Sequence, residues 1–246
     1  MLKEWKKLIK SLKINKKMRN LIIIFLFICL DLTCQTYSLP VEGVFEISQS
    51  DYVPPGQTMI SNYSTAAYFF SSPTTDMNPS NFVSAGSVQL NGNYLQTGNP
   101  YFYYNNSLPN TSTYEFDISG SPQVPASHFI FTNNSPSFNL NGLNLPDTII
   151  KADTVSLFIP NLNNSDSVFF RIFTNDLLPE PTYISYKGIV NNGVLIIPTK
   201  VFEILDPTNR AVLTVEAVKY YYQNVSGKLY LFKSSYSFSK SNVVVI

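Results

Sequence analysis

Apolar and polar residues alternate one by one through most of the chain after residue 43. In "STYEFDIS", Tyr114, Phe116 and Ile118 fall on one side and Thr113, Glu115 and Asp117 on the other. A period of two is that of a half-buried strand, because successive side chains point to opposite faces. The same pattern turns Val88 and Leu90 inward in "SVQLNG", Val155, Leu157 and Ile159 in "TVSLFIP", and Val168, Phe170 and Ile172 in "SVFFRIFT". "GVLIIP", "AVLTVEAV" and "KLYLFKSSYSFS" predict three more strands, and "NVVVI" a last one. No segment sustains a helical period. "TKVFEIL", with Val201, Ile204 and Leu205, predicts one helical turn crossing between sheets.

The connections carry their own chemistry. "NNG" (Asn191 to Gly193) offers residues that tolerate positive φ and so can reverse the chain. "LNGN", "NNSLPN", "TNNSPS" and "NLNNSDS" read as further loops. Many short strands separated by turn signals predict an all-β protein. With a boundary near "NLNGLNLPD", the chain divides into two tandem antiparallel β-sandwich domains of immunoglobulin-like size, residues 43–142 and 143–246. A single larger sandwich is the main alternative.

The start of the chain follows a different pattern. "LIIIFLFICL" is a ten-residue apolar run ended by Asp31. That is half the roughly 20 residues a membrane-crossing helix needs. Eight of the 17 basic residues precede it, so residues 1–33 read as the positive n-region and apolar h-region of a secretory signal, within which Met18 would make a more compact start. Beyond Cys34, nine basic residues face fourteen acidic ones, a formal charge of −5. A surface of that sign repels phosphate backbones, so no nucleic-acid partner is expected.

Two cysteines exist, and Cys29 lies inside the apolar run, which leaves Cys34 unpaired and excludes a disulfide framework. "LTC" (Leu32 to Cys34) resembles a bacterial lipobox, in which the cysteine is acylated and becomes the mature N-terminus. Asp31 and Thr33 depart from that pattern, and ordinary cleavage near Cys34 or Thr36 is the alternative. Residues 34–42 then read as a short tether, and the membrane as a partner reached through the lipid.

"AGSVQLNG", "YEFDISGSPQVP", "DTVSLFIPNLNNSDSVFFRIF" and "VNNGVLIIPTKVFEIL" together resemble a diffuse group of exported Bacteroidota lipoproteins, over most of residues 60–230. The resemblance implies β-sandwich halves and an address in the cell envelope, outer-membrane-anchored at the periplasmic face or the cell surface. It transfers no catalytic residue. "DTI" at Asp147, "DTV" at Asp153 and "DSV" at Asp166 are similar to the O-glycosylation consensus of such exported proteins, with Thr148, Thr154 and Ser167 as acceptors. Strand starts favour Thr-Val and Ser-Val in any case.

Candidate chemistry is sparse. His128, in "ASHFIFT", is the single histidine; it shares a strand face with Ile130 and opposes Phe129 and Phe131. A zinc site built on several histidines or cysteines is not available, and no "GxSxG" elbow supports a nucleophilic serine. Glu115 and Asp117 could form a carboxylate pair for glycan hydrolysis, but the alternation puts them on the solvent side. The aromatic runs "AAYFF", "PYFYYNN" and "KYYYQN" could stack on sugars, Tyr101 and Tyr103 first among them; the plain alternative is core and rim packing. Trp5, the single tryptophan, lies in the export segment, which weakens a glycan platform. No metal and no cofactor is expected. The expectation is a non-enzymatic envelope lipoprotein with a structural, adhesive or binding role toward a protein or glycan. The rival is a carbohydrate-binding or glycan-processing accessory using Tyr101, Tyr103, Glu115 and Asp117. A third reading is an assembly subunit that pairs its last strand, "NVVVI", with a neighbour.

Overall fold

In the computed structural model, residues 36–53, 58–99, 101–107, 111–174 and 182–246 are described; the signal segment and Cys34 fall outside them. The chain is all-β, as the alternation predicts. Its first half contributes β1 (Thr36–Val53), β2 (Ile60–Asp76), β3 (Val88–Leu90), β4 (Asn93–Tyr94), β5 (Gln96–Gly98), β6 (Phe102–Asn105), β7 (Thr113–Ile118) and β8 (Ser127–Thr132). The second contributes β9 (Thr148–Ile149), β10 (Val155–Phe158), β11 (Ser167–Thr174), β12 (Tyr183–Gly188), β13 (Val190–Asn191), β14 (Val194–Ile197), β15 (Thr208–Val225) and β16 (Lys228–Val245). No helix among the described residues is long and apolar enough to cross a membrane.

Three of the hairpins are two-residue turns with both central residues at positive φ: Asn91-Gly92 joins β3 to β4, Asn192-Gly193 joins β13 to β14, and Ser226-Gly227 joins β15 to β16. Their twist matches that of the strands they join. The turn expected in "TKVFEIL" is a short 3-10 turn, Thr199–Val201. Phe202 and Leu205 enter the core there, whereas Ile204 is exposed, because the tighter winding changes which side chains face inward.

The strands form one nine-stranded sheet, ordered β12-β11-β15-β16-β1-β2-β6-β5 with β9 alongside β16, and two small covering sheets, β4-β3-β7-β8 and β10-β14-β13. Each covering sheet closes a sandwich over one stretch of the large sheet. Under the first lie Phe45, Phe69, Tyr103, Tyr230 and Phe232, packed against Leu90, Phe116, Phe129 and Phe131. Under the second lie Phe170, Ile172, Leu213 and Val215, packed against Leu157, Leu195 and Ile197. A third apolar group, with Val44, Tyr68, Phe70 and Leu231, occupies the opposite face of the large sheet.

Two features of the expected domain plan look different in this arrangement. The stretch expected as a tether enters the sheet at Thr36, and Val41 is fully buried, because the opening residues of β1 find partners on β2. The two sandwiches also share strands. β16 pairs in parallel with β1, from Gly43 with Tyr230 to Val53 with Lys240, so residues from the far end of the chain complete the first core. "NVVVI" is the end of the same strand: Val243 and Val245 are buried and pair with β15, and Val244 and Val245 pair with β9, so this segment is already held within the sheet.

A polar seam divides the two cores on the shared sheet. Tyr236 donates to the Asp51 carboxylate at 2.6 Å, and both are buried. Nearby, Ser135 and Ser234 hydroxyls meet at 2.6 Å, and Asn133 donates to the Tyr114 hydroxyl at 3.2 Å. Burial, then the bond to Asp51, pushes the Tyr236 hydroxyl well above the usual phenol range, so it is a permanent donor. The other Asp51 oxygen has no hydrogen-bond partner among the described residues. That carboxylate therefore leans on one phenol.

Two outcomes follow from this architecture. A fragment of residues 43–142 will show no cooperative urea transition by circular dichroism, since it lacks Tyr230 and Phe232 and leaves β1 unpaired along one edge; a cooperative transition would mean that the first sandwich is autonomous. Tyr236→Phe will lower unfolding free energy by about 1.5–3 kcal/mol, the worth of a hydrogen bond to a charged group, read from urea denaturation of the whole chain.

Candidate functional site

β7 and β8 form a hairpin of the first covering sheet, and their alternation points Tyr114, Phe116, Ile118, Phe129 and Phe131 into the core. The intervening residues must then face outward. Glu115, Asp117 and His128 do so, each with about half of its side chain exposed. The register sets Asp117 directly opposite His128, and Glu115 opposite Ile130. The imidazole thus lies between two carboxylates: Nδ1 is 2.7 Å from Asp117 Oδ1, and Nε2 is 3.5 Å from Glu115 Oε1. The hydrogen bond to Asp117 is the main cause that holds the imidazole above its ordinary value; desolvation opposes it, and the charges of Asp117 and Glu115 add to it.

These three residues are the group among the described residues whose ligand atoms are close enough to share a metal ion, all within 4.8 Å of one another. The site stands on an open strand face. A depression of about 410 Å³ lies elsewhere, against the second covering sheet, lined by Phe158, Leu162, Val190, Asn161 and Asn192 without any ionisable side chain. The carboxylates and the cavity therefore do not combine into a cleft of the kind that glycoside hydrolysis uses.

The other expected site residues separate. Tyr101 is exposed in the turn before β6, but Tyr103 is 0% exposed, and its hydroxyl accepts the Ala85 N–H at 2.8 Å. Tyr103 is a core residue of the large sheet, on the inner side of the sandwich whose outer face carries Glu115 and Asp117. It cannot join them in a sugar platform. Its ring makes an edge contact with Phe69, at 5.9 Å between centroids. Of the glycosylation acceptors, Thr148 and Thr154 are exposed. Ser167 is 7% exposed at the start of β11, so its hydroxyl is not presented for modification. The "DSV" there has a structural cause: Asp166 accepts from Lys219 Nζ at 2.6 Å and from the Tyr220 N–H at 2.8 Å, tying the entry of β11 to β15. Cys34 lies outside the described residues.

A second group of charges lies on the opposite face of the large sheet and is structural. Lys233 and Glu46 are cross-strand partners on β16 and β1, at 3.3 Å, and Arg171 on β11 meets Glu216 on β15 at 2.5 Å. Tyr220 lies beside them; burial above all, with the charges of Glu216 and Glu46 outweighed in part by Lys233, leaves its hydroxyl pushed up to about 12. Each charge is matched by an opposite one on the next strand, so the row ties strands together and leaves no reactive group over.

His128 is the residue whose importance the alternation alone did not reveal. Its outward placement follows from Phe129 and Phe131, but its encounter with Asp117 depends on register. The loop of residues 119–126 is too long to fix that register by a turn rule.

No protein-family model matches the chain, and no curated protein matches it. Among solved structures it is similar to the crystal structure of DIP-gamma IG1+IG2, at 11% identity over 80% of this chain and 97% of that one, with a TM-score of 0.20. A likeness that slight carries no argument about function.

Because the folded imidazole sits above its unfolded value, the clamp contributes stability below about pH 6.5 and loses it as pH rises through the raised value. NMR titration of this single histidine will give a pKa above about 6.5, and Asp117→Asn will move it back toward that ordinary value. Equal titration in both proteins would show that the Asp117 contact does not persist in solution.

Proposed function

We propose that the protein is a non-enzymatic component of the cell envelope, exported and held at the outer membrane by a lipid on Cys34, with a structural, adhesive or binding role toward a protein or glycan. The observation that carries this reading is the open placement of the ionisable candidates: Glu115, Asp117 and His128 stand on a half-exposed strand face, and the depression elsewhere is lined without ionisable groups. A surface of this kind supports contact with a partner better than turnover of an enclosed substrate. The glycan-processing reading loses one of its two tyrosines to the core.

The architecture supports presentation at a distance. At about 3.3 Å per residue, an 18-residue strand such as β1 or β16 spans roughly 55–60 Å. Several such strands lie side by side, and β1 begins two positions after Cys34. An acyl anchor there would join the bilayer to a stiff sheet with little slack between them. The formal charge of −5 beyond Cys34 disfavours nucleic acid as a partner.

Intact-mass analysis of the native membrane fraction tests the address. The expected chain begins at Cys34 and carries acyl mass. Any glycan mass will map to peptides holding Thr148 or Thr154 and spare Ser167. A soluble chain that starts elsewhere with a free thiol would sink the anchored reading.

A further inference from the structure

We propose that the outer face of the β7–β8 hairpin binds a divalent transition-metal ion of the zinc class between His128 Nε2 and Glu115 Oε1, with Asp117 as the residue that orients the imidazole. The other ring nitrogen is already engaged. Asp117 Oδ1, at 2.7 Å, accepts the hydrogen of Nδ1. In a neutral ring this leaves the Nε2 lone pair facing outward, toward Glu115. A carboxylate that holds the distal N–H of a histidine is the usual support of a metal-binding imidazole, because it fixes the tautomer and raises ligand basicity.

The second distance fits a cation in the gap. Nε2 and Glu115 Oε1 are 3.5 Å apart. Charge-assisted N–H···O bonds close to about 2.7–2.9 Å, so this spacing is long for a direct bond. Two ligand atoms bound to tetrahedral zinc at about 2.0–2.2 Å stand about 3.3–3.5 Å apart. Two acceptors that face each other across such a gap repel until something positive lies between them. A proton or a metal ion can do so, and the metal uses the observed spacing with little movement. An imidazole ligand selects zinc, copper or nickel over calcium and magnesium, which prefer oxygen. The half-exposed side chains need little desolvation, and a negative chain beyond Cys34 favours a cation. Two protein ligands leave coordination positions open to water or to a group from a binding partner, so the site is weak and exchangeable.

The test uses the untagged full-length chain in detergent, labelled with ¹⁵N-histidine, at mildly alkaline pH. His128 is the single histidine, so its ring nitrogens report this site alone, and zinc taken up by Cys29 or Cys34 is silent in the readout. Submillimolar Zn²⁺ should shift Nε2 saturably while Nδ1 keeps its hydrogen. Ca²⁺ should leave both nitrogens unchanged. Glu115→Gln and Asp117→Asn should each weaken binding about tenfold or more, with amide spectra showing the fold intact, since both side chains lie on the outer face. No Nε2 shift with Zn²⁺ would overturn the proposal and leave the proton as the sole occupant. An unchanged affinity in Glu115→Gln would overturn it too, reducing the site to a lone surface histidine.

Discussion

The parallel pairing of β1 with β16 is the interaction on which the rest of the molecule depends. It joins residues near the two ends of the described chain, Gly43 with Tyr230 through Val53 with Lys240. Without it, the large sheet would fall into two pieces, one built on β1, β2, β5 and β6 and the other on β9, β11, β12, β15 and β16. Such a contact has a high loop-closure cost, so local hairpins are expected to form before it. Its return comes from the aromatic cluster it completes. Phe45 on β1 stacks on Phe232 of β16 at 4.8 Å between centroids, and both meet Phe129 of the covering sheet, at 4.9 and 5.8 Å.

One shared sheet serves two cores because its side chains change character along the strand. On the inner face of β16, Tyr230 and Phe232 belong to the first core and Tyr236, Val243 and Val245 to the second, with buried Ser234 between them. The buried polar pairs at the seam, Asp51 with Tyr236 and Ser135 with Ser234, meet between the two cores, with one Asp51 oxygen bonded to the phenol and the other without a hydrogen-bond partner among the described residues. Polar groups buried this way require their partners and so pin the relative position of the strands that carry them. The opposite face applies the same device with charges, pairing Glu46 with Lys233 and Arg171 with Glu216.

Function follows from what the sandwich turns outward. The β7–β8 hairpin of the first covering sheet turns Tyr114, Phe116, Phe129 and Phe131 into the core, and its outer face keeps Glu115, Asp117 and His128 in register. In the proposed reading, this open group is where a cation or a partner's polar groups would be met. The same inward and outward logic takes Tyr103 away from any surface role, since β6 is a core strand of the large sheet.

Local rules were enough for much of this. The alternation in "STYEFDIS" determined which side chains are buried, because one face of that strand meets the core and the other meets solvent, whereas in "SVFFRIFT" it set only the two faces, and β11 is buried on both. "NNG" and "LNGN" determined turns, because few residues tolerate positive φ. The outward placement of Glu115, Asp117 and His128 follows from the same period. What alternation lacks is any information about partners. It reads "KLYLFKSSYSFS" and "NVVVI" as two strands, whereas pairing with β15 carries one strand through both, past a register shift and Asn242 at positive φ. It assigns Tyr103 to a face without saying what covers that face. It places His128 outward without saying that Asp117 lies opposite. Pairing, register and the sharing of β16 between two cores were decided by tertiary structure, because each depends on the free energy of residues far apart in the chain meeting in one arrangement and no other.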